Sequence, residues 1–412
     1  MLLVALHAMR SALLFRPLGM QPMDVGQHTY SLMRGGLVHR LLHAAGVLRG
    51  RARVAAWLAV IVVVVAFGPM LVFTALDGTL WPRPPLMALL GDYATLARLL
   101  LAIPLLVLAA PRSDALLRNA FRQLSHASLV PARRQHRMDT LLARVRRWRD
   151  AWLPELVCVL IAWAPAILGG DIVSLLPGVS DWRLEHGVLS AAGQWYEWVA
   201  VPLFRLLALL WLWRFVLWTC VLWRLPRAGL VLHPAHPDRA GGIAFLGLAQ
   251  ERFAVLALAG GLLLAGACVN HVQYLGSTLY TLRHLLAGYV IGVTLLLVAP
   301  LLLLMPTMMR AKRHALYRFD ALGNRAAALF DQRWPSIQPK GAEAESLLDH
   351  GDASALADFS GVYQGLAGMS VLPLSRWNLL WIALNATIPL LPLVLLAMSV
   401  DELASKLIGI LV

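Results

Sequence analysis

The chain has 412 residues, of which 59% are hydrophobic and only 14% charged, and its mean hydropathy is +0.68. These values exclude a soluble multidomain protein and predict a polytopic membrane protein. The formal net charge of +14 does not point to nucleic acid, because the basic residues concentrate in segments on one side of the predicted membrane.

Seven apolar runs are long enough to cross a hydrocarbon core of about 30 Å, which needs about 20 helical residues. The fold class is therefore all-α, a polytopic membrane protein with seven transmembrane helices. Because seven is odd, the termini lie on opposite sides, and the excess of arginine places the N-terminus in the cytoplasm and the C-terminus in the periplasm. The expected spans are 54–76, 93–110, 152–169, 198–223, 253–282, 285–309 and 377–400.

These spans divide the chain into nine parts with different compositions. They are a cytoplasmic amphipathic N-terminal arm (1–53), helices 1 and 2 (54–110), a basic cytoplasmic hairpin (111–150), helices 3 and 4 (151–223), a cytoplasmic link (224–252), helices 5 and 6 (253–309), a cytoplasmic helical region (310–376), helix 7 (377–400) and an outer tail (401–412).

The basic hairpin begins at Pro111, which we expect to end the second span. Residues 111–150 contain ten arginines against three aspartates. An RNA-binding surface can have this composition, but no nucleic-acid motif accompanies it. We therefore expect anionic lipid head groups as partners at the basic cytoplasmic segments, and no nucleic acid.

The link holds the densest polar signature of the chain. Metal binding by H-x2-H-x-D and base catalysis by His233 oriented by Asp238 are two hypotheses for it. The favoured interpretation is a rigid elbow: prolines fix the chain direction, Asp238 caps the following turn, and two glycines allow close approach. The residues concerned are His233, His236, Asp238, Arg239, Gly241 and Gly242.

Charged residues inside the spans indicate function or structural pairing, since burying one in lipid costs about 2.5 to 3.5 kcal/mol on insertion scales. Arg214 lies near the middle of the fourth span, where its side chain is too deep to reach water easily. Glu155 is the one acid that the predicted spans place deep enough to pair with it. A structural ion pair and a permeation role remain equal alternatives.

Asn385 and Thr387 lie between prolines at the centre of the seventh span. They indicate either a distorted helix that lines a water-filled path or a hydrogen bond between helices. Gly288 and Gly292 have GxxxG spacing, which is typical of close helix packing. The chain has no Walker loop, GxSxG, HExxH or haem-binding pair, so we expect neither a cofactor nor a metal.

The region 310–376 changes character along its length. It is basic and helix-like up to Arg333, and residues 341–359 contain five acids and no base. The acidic half is expected to fold back on the basic half or to dock on the arginines of 133–149, in the same or a neighbouring subunit.

Three phrases carry a resemblance to a known family. They are HPDRAGGIAFLG (236–247), FDQRW (330–334) and LLDHGDASALADF (347–359). They resemble a family of uncharacterised bacterial multipass inner-membrane proteins with an HPDxxGG link and an LLGxDxxSLADL-like stretch. The resemblance implies a place in the bacterial inner membrane, but it does not assign an activity. Asp349 and His350 depart from the LLG pattern of the family. In topology alone the chain resembles seven-helix ligand-gated channels of the insect chemoreceptor type.

The leading functional hypothesis is a homo-oligomeric channel-like or transport protein. Its path would be lined by Arg214, Glu155, Asn385 and Thr387. One alternative is a membrane-embedded enzyme that acts on lipid-linked substrates at the cytoplasmic face through His233 and Asp238. Another is a scaffold or sensor that recruits a cytoplasmic partner through the acidic segment 341–359.

Overall fold

The computed structural model describes residues 53–82, 86–126, 129–169, 179, 181–185, 187–333 and 352–393. Described residues are almost entirely helical, apart from a two-stranded hairpin, Leu184–Glu185 with Val188–Leu189. The N-terminal arm up to residue 52, the segment 334–351 and the outer tail lie outside the described residues, as does the end of the seventh predicted span.

Ten helices account for the described chain. They are α1 (Arg53–Leu76), α2 (Tyr93–Leu96, Ala97–Ala102 and Ile103–His126 without a break), α3 (Gln135–Asp150), α4 (Trp152–Leu168), α5 (Ala191–Trp195, Tyr196–Ala200 and Val201–Arg224), α6 (Phe245–Gln250, a 3-10 turn and Ala254–Leu275), α7 (Leu279–Leu302), α8 (Met305–Arg333), α9 (Asp352–Ala367) and α10 (Arg376–Thr387).

Five helices of the described residues are long and apolar enough to cross a membrane: α1, α2, α5, α6 and α7. A sixth crossing is added if α3 and α4, which meet at a bend of 42°, count as one. The chain is thus a multipass membrane protein. Helix α10 has 12 residues and is followed by a 3-10 turn. The predicted seventh span therefore extends beyond the described residues, and the count of seven stays a prediction.

Several predicted boundaries are wrong. Pro111 does not end the second span, because α2 continues through it to His126. The continuation is stabilised by packing: Leu117 and Leu124, beyond the proline, are fully buried in the core. Helix α5 begins at Ala191, before the predicted 198. Helices α6 and α7 are separated at Gly276, whose left-handed backbone ends α6, and not at the polar residues Arg283 and His284.

Two π-helical turns interrupt α2 and α5 near their first residues, at Ala97–Ala102 and Tyr196–Ala200. Each turn is closed by an i→i−5 bond, from Ile103 to Arg98 and from Val201 to Tyr196. A proline follows each closing residue. Because proline lacks an N–H and its ring crowds the preceding turn, the wider π turn accommodates it.

Helix α6 is the centre of the bundle. It packs against α2, α5, α7 and α10, while α1 and α4 cover the other side of α2 and α5. The bundle has two ends, which we call the Asp92 side, where α2 begins, and the link side, where residues 229–244 join α5 to α6. Exposed tryptophans mark both ends, Trp81 and Trp198 on the Asp92 side and Trp57 and Trp223 on the link side, as is typical of membrane interfaces.

Helices α8 and α9 form a hairpin beyond the link side. Phe319 and Phe359 stack with their ring centroids 5.8 Å apart, and Gly323 lies against the Phe359 ring. The described part of the acidic half therefore folds back on the basic half, which was one of the two expected arrangements.

Close packing of α6 on α2 depends on Gly266. A Cβ at this position would lie 2.5 Å from the Tyr93 carbonyl oxygen, which belongs to the backbone and has little room to move. We predict that Gly266→Ala lowers the free energy of unfolding by about 1 to 3 kcal/mol, as overpacking does. The measurement is thermal unfolding in detergent. Gly288→Ala is the matched control, because no atom of the described residues, apart from the adjacent helix backbone, lies within 4 Å of a Cβ there; equal losses in both variants would contradict the packing.

Candidate functional site

The link is organised by the carboxylate of Asp238. Its Oδ1 accepts hydrogen bonds from the backbone N–H of Ala240 (2.9 Å) and Gly242 (3.0 Å), and its Oδ2 from that of Ala244 (3.1 Å). The imidazole Nδ1 of His236 also lies 2.9 Å from Oδ1. The capping contact expected of Asp238 is therefore present and leads directly into α6.

The link backbone needs unusual conformations to make these bonds. Arg239, Gly241 and Gly242 all have positive φ angles, of 52°, 70° and 91°. The two glycines adopt these values without a Cβ clash, whereas Arg239 does so at a cost of about 1 kcal/mol or more. The His233 N–H donates to the Gly241 carbonyl at 3.0 Å, which closes the loop on itself.

Three other segments converge on the link. The N–H of Val231 donates to the Leu129 carbonyl ahead of α3 (2.7 Å), and the Arg239 carbonyl accepts from the N–H of Ser370 (2.7 Å) in the loop before α10. That loop is held in turn by Lys312 of α8, whose Nζ donates to the Met369 carbonyl at 2.8 Å. The link thus joins four parts of the chain at one end of the bundle.

The geometry of the link does not favour catalysis by His233 and Asp238. Asp238 contacts His236 and not His233, and both of its oxygens already accept backbone hydrogen bonds. His233 is exposed to solvent. No group of three or more metal-ligating side chains occurs among the described residues, so the H-x2-H-x-D set does not converge on a common point.

The hydrogen bonds to Asp238 also set its acidity. Burial alone raises the pKa of this carboxyl, but the N–H groups of Ala240, Gly242 and Ala244, together with His236, outweigh burial and hold the pKa below its usual value. The folded protein therefore favours the charged form of Asp238.

A second group of interest lies inside the membrane-spanning helices. Arg214 of α5 interacts electrostatically with two carboxylates, those of Glu155 on α4 and Asp114 on α2. Glu155 and Asp114 are both buried, and Asp114 also forms an ion pair with Arg118 at 3.3 Å. We call these three residues the Arg214 cluster. Glu155 was expected as a partner, but Asp114 was missed because α2 was predicted to end before it.

Asn385 and Thr387 make hydrogen bonds within their own helix. Asn385 Nδ2 donates to the Trp381 carbonyl (2.7 Å) and Thr387 Oγ1 to the Ala383 carbonyl (2.9 Å), both four residues back. Their side chains are half-buried in a helix that packs between α6 and α7. The structure does not bring either residue to the Arg214 cluster, which lies on α2, α4 and α5.

Sequence reasoning missed a buried polar cluster on the Asp92 side. The Asp92 carboxylate is 3% exposed and accepts four hydrogen bonds. The donors are the Thr95 N–H (3.0 Å), the Thr95 hydroxyl (2.7 Å), Asn270 Nδ2 (2.9 Å) and Trp182 Nε1 (3.3 Å). Asp92 thereby ties α2 to α6 and to the segment that contains Trp182. In the sequence, the only sign of this cluster was that a polar residue stands at the end of each apolar run.

The same cluster contains the two π turns. The guanidinium of Arg98 donates to the Tyr196 hydroxyl, and Arg98 also lies over the rings of Tyr196 and Phe204, at 5.8 and 5.9 Å from their centroids. Trp182 packs edge-on against Tyr196 with centroids 5.4 Å apart. The π turns thus orient Arg98 and Tyr196 toward each other beneath the Trp182 loop.

No protein-family model, curated protein or solved structure matches this chain. The family resemblance and the channel likeness in topology therefore stay predictions.

The elbow interpretation of the link predicts a pH-dependent stability. A depressed pKa means that the stabilisation by Asp238 is fully present above about pH 4, the unfolded value, and is lost as the pH falls through the folded pKa. Asp238→Asn should lower the melting temperature at pH 7, by a loss of about 0.5 to 2 kcal/mol. The gap to the wild type should close in acid. A gap that is independent of pH would contradict a charged cap. His233→Ala is the control, because this side chain is exposed and the residue bonds within the loop through its backbone.

Proposed function

We propose that this protein is a membrane transport protein in which the Arg214 cluster handles the transported species. The observation that supports it is a pair of buried acids, on α2 and α4, whose charges act on a half-buried arginine of α5 within the long apolar helices. Charges in this position are costly, and a protein that only anchors a partner does not need them. Transport proteins use them to bind charged solutes or to exchange protons.

The composition of the cluster suits coupling between a proton and an anion. When Glu155 and Asp114 are ionised, they balance the two guanidinium groups of Arg214 and Arg118, the partner of Asp114. Protonation of either acid leaves one positive charge in excess, and an anionic solute can then balance it. We therefore propose that proton binding at the acids and anion binding at Arg214 favour each other.

The polar cluster around Asp92 and the Arg214 cluster lie at opposite ends of a closely packed apolar layer. Leu99, Ile103 and Leu106 of α2 are fully buried between them, and Trp211 Nε1 donates to the Leu106 carbonyl at 3.1 Å. Asp92 and Asp114 are 22 residues apart on α2, or about 33 Å at about 1.5 Å per residue. In this proposal the layer is the barrier of a closed state, and the π turns near Arg98 are where α2 and α5 bend.

The alternative functions have less support in the geometry. The proposed enzyme needs His233 near Asp238, and these two side chains do not meet. The proposed scaffold uses segment 341–359, but its described part, from Asp352, packs on α8. The homo-oligomer stays a prediction; among the described residues, nothing apart from the adjacent helix backbone lies within 4 Å of a Cβ position at Gly288 or Gly292 on α7. We also propose that the protein lies in the bacterial inner membrane with its N-terminus in the cytoplasm.

Transport is tested with purified protein in liposomes that enclose a pH-sensitive dye. Chloride, phosphate or succinate is supplied outside under an inward proton gradient. We predict acidification above that of empty vesicles with at least one of these anions. Glu155→Gln should reduce the rate at least about tenfold, which corresponds to a loss of about 1.4 kcal/mol in the transport barrier. Asp150→Asn is the matched control, because this acid pairs with Arg149 outside the cluster at 2.7 Å.

A structural role of the ion pair is separated from transport by a double variant. Arg214→Gln alone removes a positive charge that acts on the buried Glu155 and risks misfolding. Glu155→Gln combined with Arg214→Gln removes both charges, so it should unfold at nearly the wild-type temperature and still fail to transport. Proton or anion movement no greater than in empty vesicles for the wild type, or full transport in the folded double variant, would overturn the proposal.

A further inference from the structure

The link-side end of α5 carries an exposed tryptophan between two arginines. Trp223 is 47% exposed. The guanidinium carbons of Arg224 and Arg227 lie 5.7 and 4.7 Å from the centroid of its ring system, within cation–π distance. Arg227 Nη1 also donates to the Trp223 carbonyl at 2.9 Å, which fixes the side chain against the helix end.

A third arginine reaches this place from a distant part of the chain. Arg134, in the turn that precedes α3, packs over Gly229, where a Cβ would collide with its Cδ atom. Gly229 also has a φ of 97°, so it provides both the space and the backbone turn. Met138, Leu141 and Val145 are buried on one face of α3 and hold this segment against the bundle. We call Arg134, Trp223, Arg224 and Arg227 the arginine corner.

The arginine corner carries positive charge that no acid of the described residues pairs with. Within the described ranges, Arg118 and Arg149 pair with Asp114 and Asp150, but no ion pair involves Arg134, Arg224 or Arg227. Guanidinium groups bind phosphate oxygens through paired N–H donors. The corner therefore has the chemistry of a phosphate-binding site.

An apolar stripe leads from the corner into the membrane. Leu212 and Val216 are exposed on α5, at 44% and 41%, and their spacing from Trp223 places all three on one face of the helix. Leu212 and Trp223 are 11 positions apart, so this stripe is about 16 Å long at about 1.5 Å per residue. A free phosphate ion has no apolar part that could pack on this stripe, whereas a lipid acyl chain can lie along it.

We propose that the arginine corner binds the phosphate of an anionic membrane phospholipid, with an acyl chain along Leu212 and Val216. The proposal does not depend on transport, because it concerns the outer surface of α5 and not the Arg214 cluster. Trp223 lies at the boundary between the two parts of the lipid, a position that indole side chains prefer. The leaflet in contact with the link side is then the one that supplies the lipid.

The test measures lipid binding to the full-length protein, purified in detergent and freed of lipid, by native mass spectrometry. Phosphatidylglycerol is compared with phosphatidylcholine of the same acyl chains. We expect tighter binding of phosphatidylglycerol, and a loss of about fivefold in its affinity for each arginine removed in Arg224→Gln with Arg227→Gln. Arg318→Gln with Arg325→Gln, at exposed positions of α8, removes the same charge elsewhere and should keep the preference.

Two further arms make the result decisive. Millimolar inorganic phosphate should not displace the lipid, because it lacks the contacts along α5, and Val216→Asn should weaken binding of both lipids. The proposal is overturned if the two double variants lose phosphatidylglycerol equally. It is also overturned if inorganic phosphate competes as well as the lipid does. Melting temperatures of all variants confirm that they are folded.

Discussion

A charged or polar side chain that is buried between membrane helices must find its partners within the protein, because the hydrocarbon core supplies no water. Asp92 shows this constraint most fully. Its four donors come from α2, from α6 and from Trp182 in the segment before α5, so a single carboxylate fixes three parts of the chain at one end of the bundle. At the other end, the Asp238 carboxylate does the same with backbone donors. The helices between these two ends are packed by shape and apolar contact.

Hydropathy predicted the helical class and the approximate places of the spans, because the length of an apolar run is itself the property that lipid selects. The boundaries were harder. Pro111 lies inside α2 because burial of Leu117 and Leu124 outweighs the lost hydrogen bond, and Gly276 ends α6 because it adopts a left-handed backbone. From sequence alone, proline and charged residues are expected to end a helix more often than glycine. Here tertiary packing reversed that expectation.

The candidate sites differ in how far the sequence could predict them. The cap made by Asp238 is local, since its donors are two, four and six residues away, and its spacing was legible in the link. The bond from Asn270 to Asp92 spans 178 residues, and no pattern in one sequence marks such a pair. The Arg214 cluster lies between these cases: its arginine and one acid were recognised by depth, and the second acid only by following α2 past the proline.

Everything proposed here requires that the Asp92 side and the link side face opposite compartments. The most direct measurement is labelling of single cysteines, Val188→Cys in the two-stranded hairpin and Thr140→Cys on α3, in a variant without Cys158, Cys220 and Cys268. Both positions are exposed in the structure. Sealed membrane vesicles of known orientation are treated with a reagent that does not cross lipid. We predict that intact vesicles label one position and that the other reacts only after permeabilisation. Labelling of both positions from the same side would contradict the account.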